Sequence, residues 1–145
     1  MDTAQIKRVH ALAQMDRDAV GVYNEALRHV KDEDVKSQFI EFRDEHEHHV
    51  TKLMEAVGRL GGEDDILKVD MMGVVVEWVT AFRSILGEKG PLHAMHFAET
   101  YRNSKYKEAA SWDMGDADLA SQLQTFYSQE QRHLSYIDER LAVRK

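Results

Sequence analysis

The chain repeats itself. Shifted by 83 residues, Tyr23, Asn24, Glu25 and Ala26 fall on Tyr106, Lys107, Glu108 and Ala109, and Asp16 falls on Glu99. Shifted by 84, Asp34, Ser37, Gln38, Phe42, His49 and Glu55 fall on Asp118, Ser121, Gln122, Phe126, His133 and Glu139. Leu53 then meets Ile137, and His46 meets Glu130. The change of offset falls in a turn, where an insertion costs little. A unit present twice restricts the fold to two copies of whatever one unit forms. Two similar amphipathic helices without a common origin are the plainer account of the same identities.

Each unit reads as a pair of helices. In the first, Ile6, Val9, Ala13, Val20, Leu27 and Val30 recur at the helical period, predicting a helix from about Thr3 to about Lys31. Asp32 or Asp34 can cap the next helix, whose face is marked by Val35, Phe39, Phe42, Leu53, Val57 and Leu60 and which Gly61 and Gly62 end. So short a link makes the two antiparallel neighbours. Lys89-Gly90-Pro91 opens a third helix, which runs to about Ser111. Gly115 stops it or lies just past its end, and Asp116 or Asp118 caps a fourth that carries Leu119, Leu123, Phe126, Ile137 and Leu141. Between the pairs lies a long connection, apolar enough from Met71 to Leu86 for a short helix with Trp78 and Phe82 turned inward. The expected fold is all-α, a single four-helix bundle domain over 1–145: a helix pair over 3–60, a crossover over 61–90 carrying a short extra helix, and a second pair over 91–143. One proline in 145 residues agrees with long helices.

Composition narrows the function. Cysteine is absent, which excludes disulfides, thiolate metal sites and cysteine catalysis, and suits the reducing cytoplasm where the chain is expected. A net charge of −7 without a basic patch argues against nucleic acid as partner. The N-terminal stretch lacks the apolar run of a signal peptide, and the longest such run, Val74 to Val76, ends at Glu77, so no membrane span is expected.

The wheel then sorts the polar residues. At about 100° per residue, with His49 at zero, the apolar face of the second helix spans roughly +20° to +80°; His46 falls at about +60°, Glu45 at about −40° and His48 at about −100°. The inward pair is therefore His46 and His49, not Glu45 and His48. On the fourth helix the same arithmetic makes Glu130 and His133 a core pair. Asp16 shares the stripe of Val9, Val20, Tyr23 and Leu27, while Asp18 and Glu25 point away. Glu99 shares the stripe of Leu92, Tyr106 and Ala110. Counted from the turns, Asp16, His46, His49, Glu99, Glu130 and His133 stand at one depth, within roughly one helical turn. Six ionisable groups in an apolar layer are costly unless neutralised. A divalent cation would neutralise them, and imidazole with carboxylate suits iron, manganese or zinc. A buried hydrogen-bonded network, with Tyr23 and Tyr106 as donors, is the alternative.

Inward carboxylates on helices one and three, with a residue-x-x-His pair on helices two and four, resemble the ferritin-like carboxylate di-iron bundles, the group of rubrerythrin and bacterioferritin. The resemblance covers nearly the whole chain, including the long crossover. It implies iron, one or two ions, with Asp16 and Glu99 as terminal carboxylates, Glu130 bridging, His49 and His133 as imidazole ligands, and Tyr23 and Tyr106 supporting them. Two departures stand out. Asp16 replaces a glutamate, and His46 stands where the family has its other bridging glutamate. Neutral imidazole offers one lone pair and cannot bridge as a carboxylate does. That predicts a single metal, an unequal pair with an added anion, or Glu45 turning in as a substitute.

The resemblance implies a homo-oligomeric metal protein acting in iron handling or in reduction of dioxygen or peroxide, any activity being that of a non-haem iron oxidoreductase. The competing reading is a non-catalytic bundle that keeps a buried polar network and acts through self-association or a protein partner. No haem is expected, because no attachment motif is present.

Overall fold

The computed structural model describes residues 3–62 and 89–143. They form four helices, α1 (Thr3–Leu27), α2 (Glu33–Arg59), α3 (Gly90–Ala110) and α4 (Ala117–Ala142), and no strand among the described residues. The all-α bundle is as the periodicity predicts. The short helix expected around Trp78 and Phe82 lies outside the described residues.

The punctuation follows local chemistry. Of the paired capping candidates, Asp32 and Asp116 do the capping, accepting from Val35 N at 3.1 Å and Leu119 N at 2.9 Å. Each cap carries a second contact: Arg140 near the end of α4 binds Asp32, and Arg59 at the end of α2 binds Asp116. The first helix ends at Leu27, earlier than the expected Lys31. Val30 turns into the core, and His29 N and Val30 N both bond back to Ala26 O, so the chain closes on itself before Lys31. At the end of α2, Gly61 takes a φ of +94°, which favours glycine. Gly62 sits against Ile6 and Val57, where a Cβ would come within 2.6 Å of a methyl of each.

α1 packs chiefly on α2, and α3 on α4; the pairs meet through α1–α3 and α2–α4. The apolar core falls into two clusters. One gathers the end of α1, the starts of α2 and α3, and Ile137 of α4: Tyr23, Ala26, Phe39, Phe42 and Met95 belong to it. The other gathers the start of α1, the end of α2, the end of α3 and the start of α4, with Val9, Leu53, Tyr106, Leu119 and Phe126. It follows that α2 and α3 run in the same direction, so that residues 62 and 89 stand at opposite ends of the bundle. Between the two clusters lies a polar layer.

Candidate metal centre

Asp16 of α1, His46 and His49 of α2, Glu99 of α3, and Glu130 and His133 of α4 are all fully buried, at 0% exposure. The structure brings together all six residues singled out from the wheel. His48 is exposed, as the wheel requires, and Asp18 accepts from Gln14 of its own helix. Glu25 corrects the sequence reading: it is buried rather than turned to solvent. It does not join the layer, since Arg28 and His29, just past the end of α1, bind its carboxylate at 3.3 and 3.2 Å.

Two overlapping groups of potential ligands emerge, Asp16–His46–His49–Glu130 and His46–Glu99–Glu130–His133, with one donor atom from each residue within 4.8 Å of the others. His46 and Glu130 belong to both. The groups differ in how their atoms are engaged. Around Asp16, Oδ1 lies 2.6 Å from His46 Nδ1 and 3.1 Å from His49 Nδ1, and Oδ2 accepts from Tyr106. In the second group, Glu99 Oε1 accepts from Tyr23 at 3.0 Å and from Arg102 at 2.5 Å. Its other oxygen is different. Glu99 Oε2, His46 Nε2, both oxygens of Glu130 and His133 Nδ1 are buried without a hydrogen-bond partner among the described residues. Every residue of the second group contributes to that set. His133 Nδ1 stands 3.6 Å from Glu99 Oε2 and 3.5 Å from Glu130 Oε2, and His46 Nε2 stands 3.4 Å from Glu99 Oε1. Ion-pair contacts of 3.3–3.6 Å are all that most of these atoms make, and buried polar atoms without hydrogen bonds are costly, so the layer favours a ligand that binds them.

The supporting groups obey the repeat. Phe42 stacks on His133 and Phe126 on His49, with ring centroids 4.2 and 4.1 Å apart. On its outer edge His133 Nε2 donates to Glu45 Oε1 at 2.7 Å, and His49 Nε2 donates to Gln129 Oε1 at 2.6 Å. Glu45 and Gln129 correspond under the shift of 84, as Phe42 and Phe126 do. With the proton fixed on the outer nitrogen, a neutral ring presents the lone pair of Nδ1 to the centre. The tyrosines cross in the same way, Tyr23 to Glu99 and Tyr106 to Asp16. Asn103 donates to the backbone carbonyls of Glu99 and Glu130, at 2.8 and 2.9 Å, and ties α3 to α4 at this depth. Glu45, one of the alternatives for completing the site, does not reach the centre. It is held at the rim between His133 and Arg132.

Two partners escaped the sequence reading. Gln129 is the repeat equivalent of Glu45. Arg102 is 4% exposed and corresponds under the shift of 83 to the fully buried Ala19, so the repeat carried the signal for a buried charge there.

The charges are strongly coupled. Burial raises the Asp16 carboxyl, but attraction to His49 and the contact with His46 outweigh it and bring it down to about 2. Burial raises Glu99 too, yet the Arg102 charge holds it well below the usual range. Burial dominates at Glu130, which is pushed up to about 7. Desolvation disfavours the charged forms of His46 and His133, but the carboxylates around them prevail, and they rise to about 9 and about 11. Burial, reinforced by the adjacent carboxylates, pushes Tyr23 and Tyr106 far above the ordinary tyrosine value, which keeps them as neutral hydrogen-bond donors.

Among known proteins, a family model described as "Domain of unknown function (DUF2383)" matches residues 4–112. The match spans α1 to α3 and so includes Asp16, His46, His49, Glu99 and Arg102; Glu130 and His133 lie beyond it. No curated protein and no solved structure matches the chain.

Proposed function

From the premise that the chain belongs to this DUF2383 family, whose description names no activity, we propose that it is a metal-binding bundle of ferritin-like type, one domain holding non-haem iron in its core. The observation that carries this reading is the set of five buried donor atoms without a hydrogen bond that converge from α2, α3 and α4. Two imidazole nitrogens with two carboxylates form a mixed nitrogen and oxygen donor set that suits iron, manganese or zinc and offers nothing for soft, thiolate-seeking ions. His133 and Glu130 on α4, Glu99 on α3 and His46 on α2 would hold the ion. Bound iron would supply redox chemistry toward oxygen species, which would suit a role in iron handling or in reduction of dioxygen or peroxide. The chain's own residues fix the donors: the stacked phenylalanines and the outer hydrogen bonds of the histidines prevent the rings from turning away.

A second reading has its own support. The layer already contains ion pairs, His46 with Asp16 at 2.6 Å and Arg102 with Glu99 at 2.5 Å, and could persist as a polar network in a bundle that works through association. Anaerobic loading with Fe(II), gel filtration and metal analysis separate the two. The metal reading expects iron retained by the natural chain and lost in His133→Ala. A chain that retains none is a bundle with a polar network, and the first reading fails.

A further inference from the structure

We propose that the centre takes one divalent cation per chain rather than two, because Arg102 is a permanent cation built into the layer. The inference rests on the metal reading above and fixes its stoichiometry.

Three observations support it. First, most of the donor atoms without a hydrogen bond face the group of Glu99 and His133. Glu99 Oε2, Glu130 Oε2, His46 Nε2 and His133 Nδ1 gather there without hydrogen bonds, while Glu130 Oε1 lies toward the other group, 3.3 Å from His46 Nδ1; in that group both oxygens of Asp16 are engaged, one by His46 and the other by Tyr106. Second, His46 has one lone pair when neutral. If Nε2 gives it to an ion, Nδ1 carries the proton and donates it to Asp16 Oδ1, which stands 2.6 Å away. Asp16 is then the acceptor that fixes the His46 tautomer, not a second metal ligand. Third, the charges balance for one ion. Asp16, Glu99 and Glu130 bring three negative charges, and Arg102, 4% exposed and 2.5 Å from Glu99, returns one positive. One divalent ion leaves the buried layer neutral. A second would leave two uncompensated positive charges in a medium where charge is costly.

Arg102 therefore acts through Glu99 and through its field, without being a ligand. Its substitution by methionine keeps much of the packing of its stem and removes the charge. Lysine keeps the charge.

The test is an anaerobic Fe(II) titration of the full chain, with bound iron counted per chain after gel filtration and the affinity read from competition with a chelator. Expected are one iron per chain in the natural protein and in Arg102→Lys, with Kd values within about threefold of each other. Arg102→Met should bind its iron at least roughly tenfold more tightly, because a like charge a few ångströms away is gone. Two irons per natural chain would overturn the proposal and leave the metal reading intact. Unchanged or weaker binding in Arg102→Met would remove Arg102 from the account. No iron in any of the three would end both readings. Should Arg102→Met not fold, two irons in the natural chain or in Arg102→Lys still refutes the proposal.

Discussion

His49 and His133 are each held at three points: a phenylalanine against the ring face, an acceptor on Nε2, and the carboxylate layer beside Nδ1. Replacing Gln129 by leucine leaves the outer nitrogen of His49 buried without its acceptor. That should cost about 1–3 kcal/mol in urea unfolding of the metal-free protein. An unchanged midpoint would mean that His49 finds another partner. Protonation gives a second prediction at this scale. Asp16 and Glu45 sit near 2 in the folded chain against ~4 in an unfolded one, so their stabilisation is complete above about pH 4 and is lost as pH falls toward 2. Glu130, raised to about 7, stabilises below its unfolded value and ceases to as pH rises through 7. His46 and His133 contribute fully below ~6.5, and that contribution fades as pH rises through about 9 and about 11. Metal-free protein should therefore be most stable between roughly pH 4 and 6 and weaken on the alkaline side. Metal affinity should run the other way, since Glu130 and His133 must release protons to coordinate. Metal-free unfolding midpoints that climb steadily to pH 9 would contradict this. The wheel found all six residues of the layer because helical phase is fixed by sequence spacing. It misplaced Glu25 because Arg28 and His29 screen that carboxylate from solvent, a local contact that periodicity does not encode. It passed over Arg102 because a lone arginine on a helix is ordinarily solvated.

At the scale of elements, the repeat proves more exact in the structure than in the identities that revealed it. Asp32 and Asp116 are equivalent caps, and each receives an arginine from the other helix pair. Caps were legible only as alternatives, Asp32 or Asp34, because both residue types satisfy the rule and the choice depends on where the backbone turns. The early end of α1 was not legible: Val30 fits the helical period, yet His29 N and Val30 N both bond back to Ala26 O and the chain turns there, with Val30 still buried. The end of α2 gives the prediction at this scale. Gly62→Ala forces a methyl against Ile6 and Val57 in a place where Val57 is 1% exposed and cannot retreat. The expected loss is about 1–3 kcal/mol, measured by thermal or chemical unfolding. A neutral result would mean that the start of α1 shifts freely at this contact.

Taken whole, the described residues form two apolar clusters joined through a charged layer. Neither half can be slid along the other without breaking the crossed contacts of Tyr23 with Glu99 and Tyr106 with Asp16. The layer thus sets the register of the helix pairs and holds the free donors at one point. Among the described residues, no helix is long and apolar enough to cross a membrane. A ligand that binds only the folded chain raises its stability by about 2.7 kcal/mol at a hundredfold excess over Kd. Fe(II), Mn(II) or Zn(II) should therefore raise the Tm of the natural chain, and His133→Ala should lose most of that shift. The most direct measurement of the central claim is anomalous scattering at the iron edge from crystals of Fe(II)-loaded protein. One peak per chain is expected, at coordination distance from His46 Nε2, Glu99 Oε2, Glu130 and His133 Nδ1. A layer without a peak, or iron found on the exposed His48 instead, would contradict it.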